Sequence, residues 1–241
     1  MATATFKIWR GERGGGGYQD YTTEVTEGMV VLDAVHQIQA ADANDLSVRW
    51  NCKAGKCGSC SAEINGKPRL MCMTRLNTLD LNEPVTVEPM KTFPHVKDLV
   101  TDVSWNYKVK EGIKKFKSDP KRAWNAQQAD VDRPQEFRKC IECFLCQDVC
   151  HVLREHGLYD EFIGPRFFVY SAALEMNPFD SDDRLADLKD TQGIGYCNIT
   201  KCCTQVCPEE IKITDNAIIP LKERVVDEFY DPLGKLFKIF R

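Results

Sequence analysis

Apolar and polar residues alternate across residues 5–9, Thr-Phe-Lys-Ile-Trp, which predicts a strand with one buried face. Four glycines at 14–17 supply a flexible turn, and residues 21–25 alternate again, so a hairpin is expected. Past Gly28 the period lengthens: Val31, Leu32, Val35, Ile38 and Gln39 follow at helical spacing. Asn65-Gly66, a strong two-residue hairpin signal, separates residues 61–64 from 67–71, and residues 85–87 form a last strand. Residues 89–94, bounded by prolines, read as a linker. Beyond it strand signals fade. Leu99, Val103, Tyr107 and Lys110 are expected to share a helix face, 221–229 and 233–240 predict helices, and the acidic stretch 180–195 predicts loop or short helix.

Strands wrapped around one helix beside a cysteine loop resemble the β-grasp ferredoxin fold. The expected architecture is therefore α+β. An N-terminal β-grasp, plant-type ferredoxin-like domain over 1–92 is followed by an α-helical, bacterial-ferredoxin-like domain over 93–241.

Composition narrows the function classes. With 43% hydrophobic and 28% charged residues the chain is globular rather than disordered. A formal net charge of −4 argues against a general nucleic-acid binder. No apolar run approaches ~18 residues, so no transmembrane helix is expected. The first residues lack a charged-then-apolar leader, so no signal peptide is expected. The 12 cysteines are thus read as those of an intracellular chain, where thiols stay reduced. Zinc usually takes two well-separated pairs. Here two x2 gaps follow in succession, which suits an iron–sulfur cubane whose irons need thiolates from several directions.

Three tracts carry this chemistry. Cys52-x4-Cys57-x2-Cys60 with Cys72 has plant-type spacing and supplies four thiolates for one 2Fe–2S cluster. Gly55 and Gly58 inside it are either simple turn residues or devices that bring backbone N–H groups close to a negatively charged cluster. Cys140-x2-Cys143-x2-Cys146-x3-Cys150 is the run that builds cubanes. In two-cluster ferredoxins the fourth cysteine of each run ligates the other cluster. That rule groups Cys140, Cys143, Cys146 and Cys207 around a 4Fe–4S cluster and sends Cys150 to join Cys197 and Cys203.

Aligned to the same pattern, the third tract has Cys197 first, Cys203 third and Cys207 fourth, followed by Pro208, with Thr200 second. A protonated hydroxyl is a poor iron ligand, so the corner iron is expected to be missing, leaving a 3Fe–4S cluster on Cys150, Cys197 and Cys203. The rival count makes Cys202 the last ligand of a third complete cluster. Against it, Cys202 sits off the repeat, and helical neighbours point ~100° apart.

With these tracts in this order, the chain resembles the iron–sulfur subunits of succinate dehydrogenase and fumarate reductase, respiratory complex II. The resemblance covers nearly the whole chain and includes Arg49-Trp50-Asn51-Cys52, Cys57-Gly58-Ser59-Cys60, Cys72, the Cys140 run and Cys203-x3-Cys207-Pro208. It implies 2Fe–2S, 4Fe–4S and 3Fe–4S clusters in line, the last at comparatively high potential. It implies as partners an FAD-containing flavoprotein subunit facing the N-terminal domain and one or more membrane-anchor subunits under the C-terminal domain, with quinone nearby. It places the chain peripherally on the cytoplasmic face of the inner (plasma) membrane. Two positions depart from the family pattern. Many members follow the Cys150 position with Pro and then Trp, and place a His beside the first cysteine of the last tract. Here His151, Val152, Leu153 and Arg154 follow, Asn198 stands beside Cys197, and no Trp occurs after Trp124. The expectation is that this subunit lacks a standard quinone pocket and that the anchor holds quinone.

No nucleophile–base set occurs, and the glycine run lacks the Lys-Ser ending of a phosphate-binding loop. No catalytic residue is expected here; the substrate site belongs to a partner. The leading reading is an electron-transfer subunit of succinate dehydrogenase. The alternatives are the reverse activity as a fumarate reductase, a soluble multi-cluster ferredoxin-type carrier, and a subunit of another oxidoreductase such as a thiol-linked fumarate reductase. His151 is either a proton relay or a partly buried polar group. The basic stretch 108–122 is either a solvated face or a docking surface for lipid or an acidic partner.

Overall fold

The computed structural model describes residues 2–232, which form two compact units. Of these residues, the first comprises 2–104 and 141–149, and the second comprises 105–140 and 150–232. The helix expected at 233–240 lies outside the described residues.

In the first unit the expected hairpin is longer than the alternation indicates: β1 (Ala2–Glu12) pairs antiparallel with β2 (Gly15–Val25) from Ala2↔Val25 to Glu12↔Gly15. Ala4, Phe6 and Ile8 face inward, as their spacing requires. After α1 (Val31–Ala41) come β3 (Ser61–Ile64), β4 (Lys67–Leu70), β5 (Val85–Glu88), β6 (His95–Lys97) and β7 (Val100–Thr101). The sheet order is β4-β3-β5-β1-β6-β7, with β2 on β1 and with β1 and β5 parallel. Val31, Leu32, Val35 and Ile38 of α1 are buried, as are Ile64, Val85 and Val87 of the strands. This is the β-grasp arrangement. Asn65 and Gly66 turn β3 into β4 at φ 48° and 70°, the positive values a two-residue hairpin turn needs.

Residues 89–94, read as a linker, lie packed: Met90, Thr92 and Phe93 are buried. Thr92 donates its N–H to Asp148 Oδ1 at 3.0 Å and its hydroxyl to the Asp148 carbonyl at 2.9 Å. Leu99 does not join a helix, because the chain folds back there through β6 and β7. The turn is fixed by buried Asp98, whose carboxylate accepts from Arg10 Nε, Gly11 N and Ser47 N. The helix that follows, α2, begins only at Ser104 and runs Ser104–Gly112, with Asn106 rather than Tyr107 buried.

The second unit is helical: α3 (Gln128–Gln135), α5 (His151–Arg154), α6 (Pro165–Glu175), α7 (Leu185–Asp190), α8 (Cys202–Gln205) and α9 (Ile219–Phe229), while the short α4 (Leu145–Asp148) belongs to the first unit. α6 carries Phe167, Phe168, Val169, Ala172 and Leu174 on nearly all sides and is correspondingly buried. A widened turn at Ile213–Ile218 leads into α9. Arg184 is fully buried. It donates to Glu175 Oε1 at 3.2 Å, to Asp180 Oδ2 at 2.9 Å, and to the carbonyls of Lys114, Lys115 and Asp182. Lys114 also pairs with Asp187 at 2.8 Å. Part of the basic stretch therefore meets the chain's own acidic stretch.

Candidate metal centres

The loop that carries Cys52, Cys57 and Cys60 runs from α1 into β3, and Cys72 follows β4. Antiparallel pairing of β3 with β4 brings the last two together: Met71 N donates to the Cys60 carbonyl at 3.0 Å, and Cys72 N points at Cys60 Sγ at 3.5 Å. At the other end, the N–H groups of Ala54 and Lys56 lie 3.4 and 3.3 Å from Cys52 Sγ. Lys53, Gly55 and Gly58 take left-handed conformations that coil the loop so these donors point inward. Burial pushes Cys57 up, but hydrogen bonds from Ser59 and Cys52 outweigh it and bring the thiol down to about 6. Burial pushes Cys60 up to about 12; the Cys72 N–H pulls against this, and the Cys72 thiol adds to the rise. N–H groups aimed at sulfur fit an anionic thiolate-held cluster, and iron supplies the positive charge that ionises a buried thiol.

Gly58 is more than a turn residue. At φ 69°, a Cβ there would stand 2.6 Å from Cys143 Cα and 2.9 Å from its N and Cβ. Ser61 Oγ, within reach of the Gly58 carbonyl at 3.0 Å, donates to the Cys143 carbonyl at 2.8 Å. The first cysteine loop therefore packs backbone to backbone on the second tract. Ser61 is a site residue the sequence analysis missed, since nothing in the sequence links it to residue 143.

Cys143 and Cys146 lie in the first unit, and Cys140 and Cys207 in the second. Burial raises Cys207, the N–H groups of Ile211 and Glu209 pull it down, and nearby Cys140 adds to the rise.

The third tract repeats the backbone of the second at a fixed offset. Since 197 − 140 = 57, adding 57 carries Cys140, Cys143, Cys146 and Cys150 onto Cys197, Thr200, Cys203 and Cys207. Left-handed Glu142 (φ 55°) and Phe144 (φ 61°) recur as Ile199 (φ 61°) and Lys201 (φ 63°). The helical turn α4 recurs as α8 at the same shift. Non-glycine residues in this region cost about 1–3 kcal/mol each and persist where their surroundings demand them. Thr200 thus stands where the second cysteine of the pattern would be.

Around Thr200 a small cavity of about 20 Å³ is lined by Cys150, Cys197, Cys202 and Cys203, with His151 and Thr214 at its wall. Burial pushes Cys150 up to about 12 and Cys203 to about 11. Thr204 donates its hydroxyl to Thr214 Oγ1 at 3.0 Å, which leaves the Thr214 proton free for Cys203 Sγ at 3.5 Å. Lys222 Nζ donates to the Cys197 carbonyl at 2.5 Å. Cys202 opens α8 directly after left-handed Lys201, and its Sγ lies 3.2 Å from Thr200 Oγ1. His151 stands edge-on to His156 with centroids 6.3 Å apart. Among the described residues, no three His, Cys, Asp or Glu side chains converge as they would on one ion. The thiolates of a cluster are spread over several irons, one on each iron of a cubane and two on each iron of a 2Fe–2S cluster, and so stand wider apart than the ligands of one ion.

Residues 5–108 match the family described as a 2Fe-2S iron-sulfur cluster binding domain, and residues 136–211 match the 4Fe-4S dicluster domain. The fumarate reductase iron-sulfur subunit of Mycobacterium tuberculosis is 32% identical over 202 residues, covering 80% of each chain. A chain of the fumarate reductase (CoM/CoB) of Methanothermobacter marburgensis is 30% identical over 92% of this chain, which spans 43% of that relative's length. A chain of the solved Mycobacterium smegmatis Sdh1 complex in the apo form superposes with a TM-score of 0.93 at 58% identity, covering 95% of this chain and 98% of that one.

Proposed function

The chain belongs to the family of succinate dehydrogenase and fumarate reductase iron–sulfur subunits, and from that premise we propose that it serves as the electron conductor of a succinate:quinone oxidoreductase. The proposed ligand sets are Cys52, Cys57, Cys60 and Cys72 for a 2Fe–2S cluster, Cys140, Cys143, Cys146 and Cys207 for a 4Fe–4S cluster, and Cys150, Cys197 and Cys203 for a 3Fe–4S cluster. When bound, these groups accept and release electrons one at a time. The proposed partners are a flavoprotein subunit that oxidises succinate and an anchor that holds quinone, with this chain peripheral on the cytoplasmic face of the membrane. Among the described residues no helix is long and apolar enough to cross a membrane itself. The proposed division of labour follows the expected domains 1–92 and 93–241, whereas the first compact unit extends to Ser104 and takes in Ile141–Val149.

The observation that carries this reading is the contact between Gly58 and Cys143. Two ligand-bearing backbones in van der Waals contact keep their sulfurs within a short tunnelling distance. The residues do the holding: Ala54, Lys56 and Cys72 aim N–H groups at sulfur. Ser61 ties the first loop to the second tract, and Thr214 serves Cys203. The three-iron assignment rests on Thr200, whose place in the repeat would otherwise bring the fourth thiolate.

Low-temperature EPR of the anaerobically purified, oxidised complex tests it. A three-iron signal is expected, and Thr200→Cys should abolish it by completing a cubane. A Thr200→Cys protein that keeps the signal unchanged overturns the ligand assignment. Succinate:quinone and quinol:fumarate rates on the same preparation decide the direction, with the first expected to be faster.

A further inference from the structure

The hydroxyl of Thr200 has a sulfur beside it. Cys202 Sγ lies 3.2 Å from Thr200 Oγ1, and both side chains line the cavity with Cys150, Cys197 and Cys203. A cysteine at 200 would put its sulfur where Oγ1 now lies. The Cys202 sulfur is therefore one contact away from the corner at which a fourth iron would be held. Equivalence along the repeat conceals this, since position 202 corresponds to Leu145, a buried apolar residue.

Building on the reading of this centre as 3Fe–4S, we propose that Cys202 is a conditional fourth ligand: after one-electron reduction the centre takes up a ferrous ion at the Thr200 corner, and the Cys202 thiolate holds it. The step balances. The neutral reduced core [3Fe–4S]⁰ and Fe²⁺ combine to [4Fe–4S]²⁺ with no further electron transferred. One Fe–S bond forms to Cys202, whose thiol proton passes to solvent. Loss of the ferrous ion reverses the step, with Cys202 regaining its proton, and passing one electron on towards quinone then returns the core to [3Fe–4S]⁺. The hydroxyl at 200 leaves the corner without a permanent ligand, and the neighbouring thiol makes it fillable, so the last centre would respond to ferrous iron and reducing equivalents together.

The intact complex, purified anaerobically, is reduced with dithionite and given one equivalent of ⁵⁷Fe²⁺, then read by Mössbauer spectroscopy and by EPR after reoxidation. The wild type is expected to incorporate about one ⁵⁷Fe per complex and lose its three-iron signal. Cys202→Ser is expected to keep the signal and take up at least tenfold less. Equal uptake by Cys202→Ser, or none by the wild type, overturns the role of Cys202 and leaves the three-iron reading standing. A cubane already present in the untreated wild type, which becomes three-iron in Cys202→Ser, overturns the three-iron reading and keeps Cys202 as ligand. Should Cys202→Ser fail to assemble, the isomer shift of the incorporated ⁵⁷Fe in the wild type decides: thiolate coordination supports the proposal, and oxygen coordination overturns it.

Discussion

Replacing Gly58 with alanine tests the contact between the first loop and the second tract. The new methyl would stand 2.6 Å from Cys143 Cα, where carbon atoms prefer about 3.5–4.0 Å. The obstacle is backbone, so no side chain can rotate aside. Overpacking of this kind costs about 1–3 kcal/mol, and the left-handed conformation at φ 69° adds about 1–2 kcal/mol for a residue with a Cβ. The expected loss is about 2–5 kcal/mol. Gly66 provides the control: its φ is 70°, but nothing lies within 4 Å of a Cβ placed there, so Gly66→Ala carries the conformational cost alone. Urea titration of the purified complex, followed by loss of visible cluster absorbance and of the 2Fe–2S EPR signal, gives both midpoints. Gly58→Ala should be the weaker by about 1–3 kcal/mol. Midpoints equivalent to within about 0.5 kcal/mol would refute the reasoning, because the contact would then contribute nothing beyond the turn.

Other outcomes follow from the same packing. Arg184→Ala leaves the buried Asp180 carboxylate without the Arg184 cation and Glu175 with only Arg224 at 3.8 Å, so it should destabilise the protein by about 3–5 kcal/mol; a urea-derived loss under about 1 kcal/mol would contradict this. Thr214→Val removes the hydroxyl facing Cys203 Sγ and should lower the reduction potential of the last centre, because hydrogen bonds to sulfur favour the reduced, more negative state. Potentiometric EPR showing no shift or an upward one would count against that role. Burial, then the charge of Lys53, holds His36 below its ordinary value of 6.5, and its Nε2 finds no hydrogen-bond partner among the described residues. A depressed histidine resists protonation in the fold, so its contribution is intact above pH 6.5 and is lost as pH falls below it. Stability measured from pH 7 to 5 should therefore fall less steeply in His36→Gln than in the wild type.

The sequence alone determined the local elements and the chemistry. Alternation at 5–9, the Asn65-Gly66 turn and the helical spacing from Val31 are short-range signals, and short-range sterics decide them. Cysteine spacing told the 2Fe–2S tract from the 4Fe–4S tract because a loop of a given length reaches only certain geometries around a cluster. What the sequence could not settle was long-range. That Asp98 would bind Arg10, Gly11 and Ser47, or that Arg184 would be buried among carbonyls of residues 114 and 115, depends on chain segments far apart in sequence. Only the folded chain shows that Gly58 must lack a side chain because Cys143 occupies its space. It alone shows that the Cys202 thiol turns toward Thr200. Spacing ranks which residues bind; which neighbours those residues meet is fixed by packing, since contact energies act through space and not along the chain.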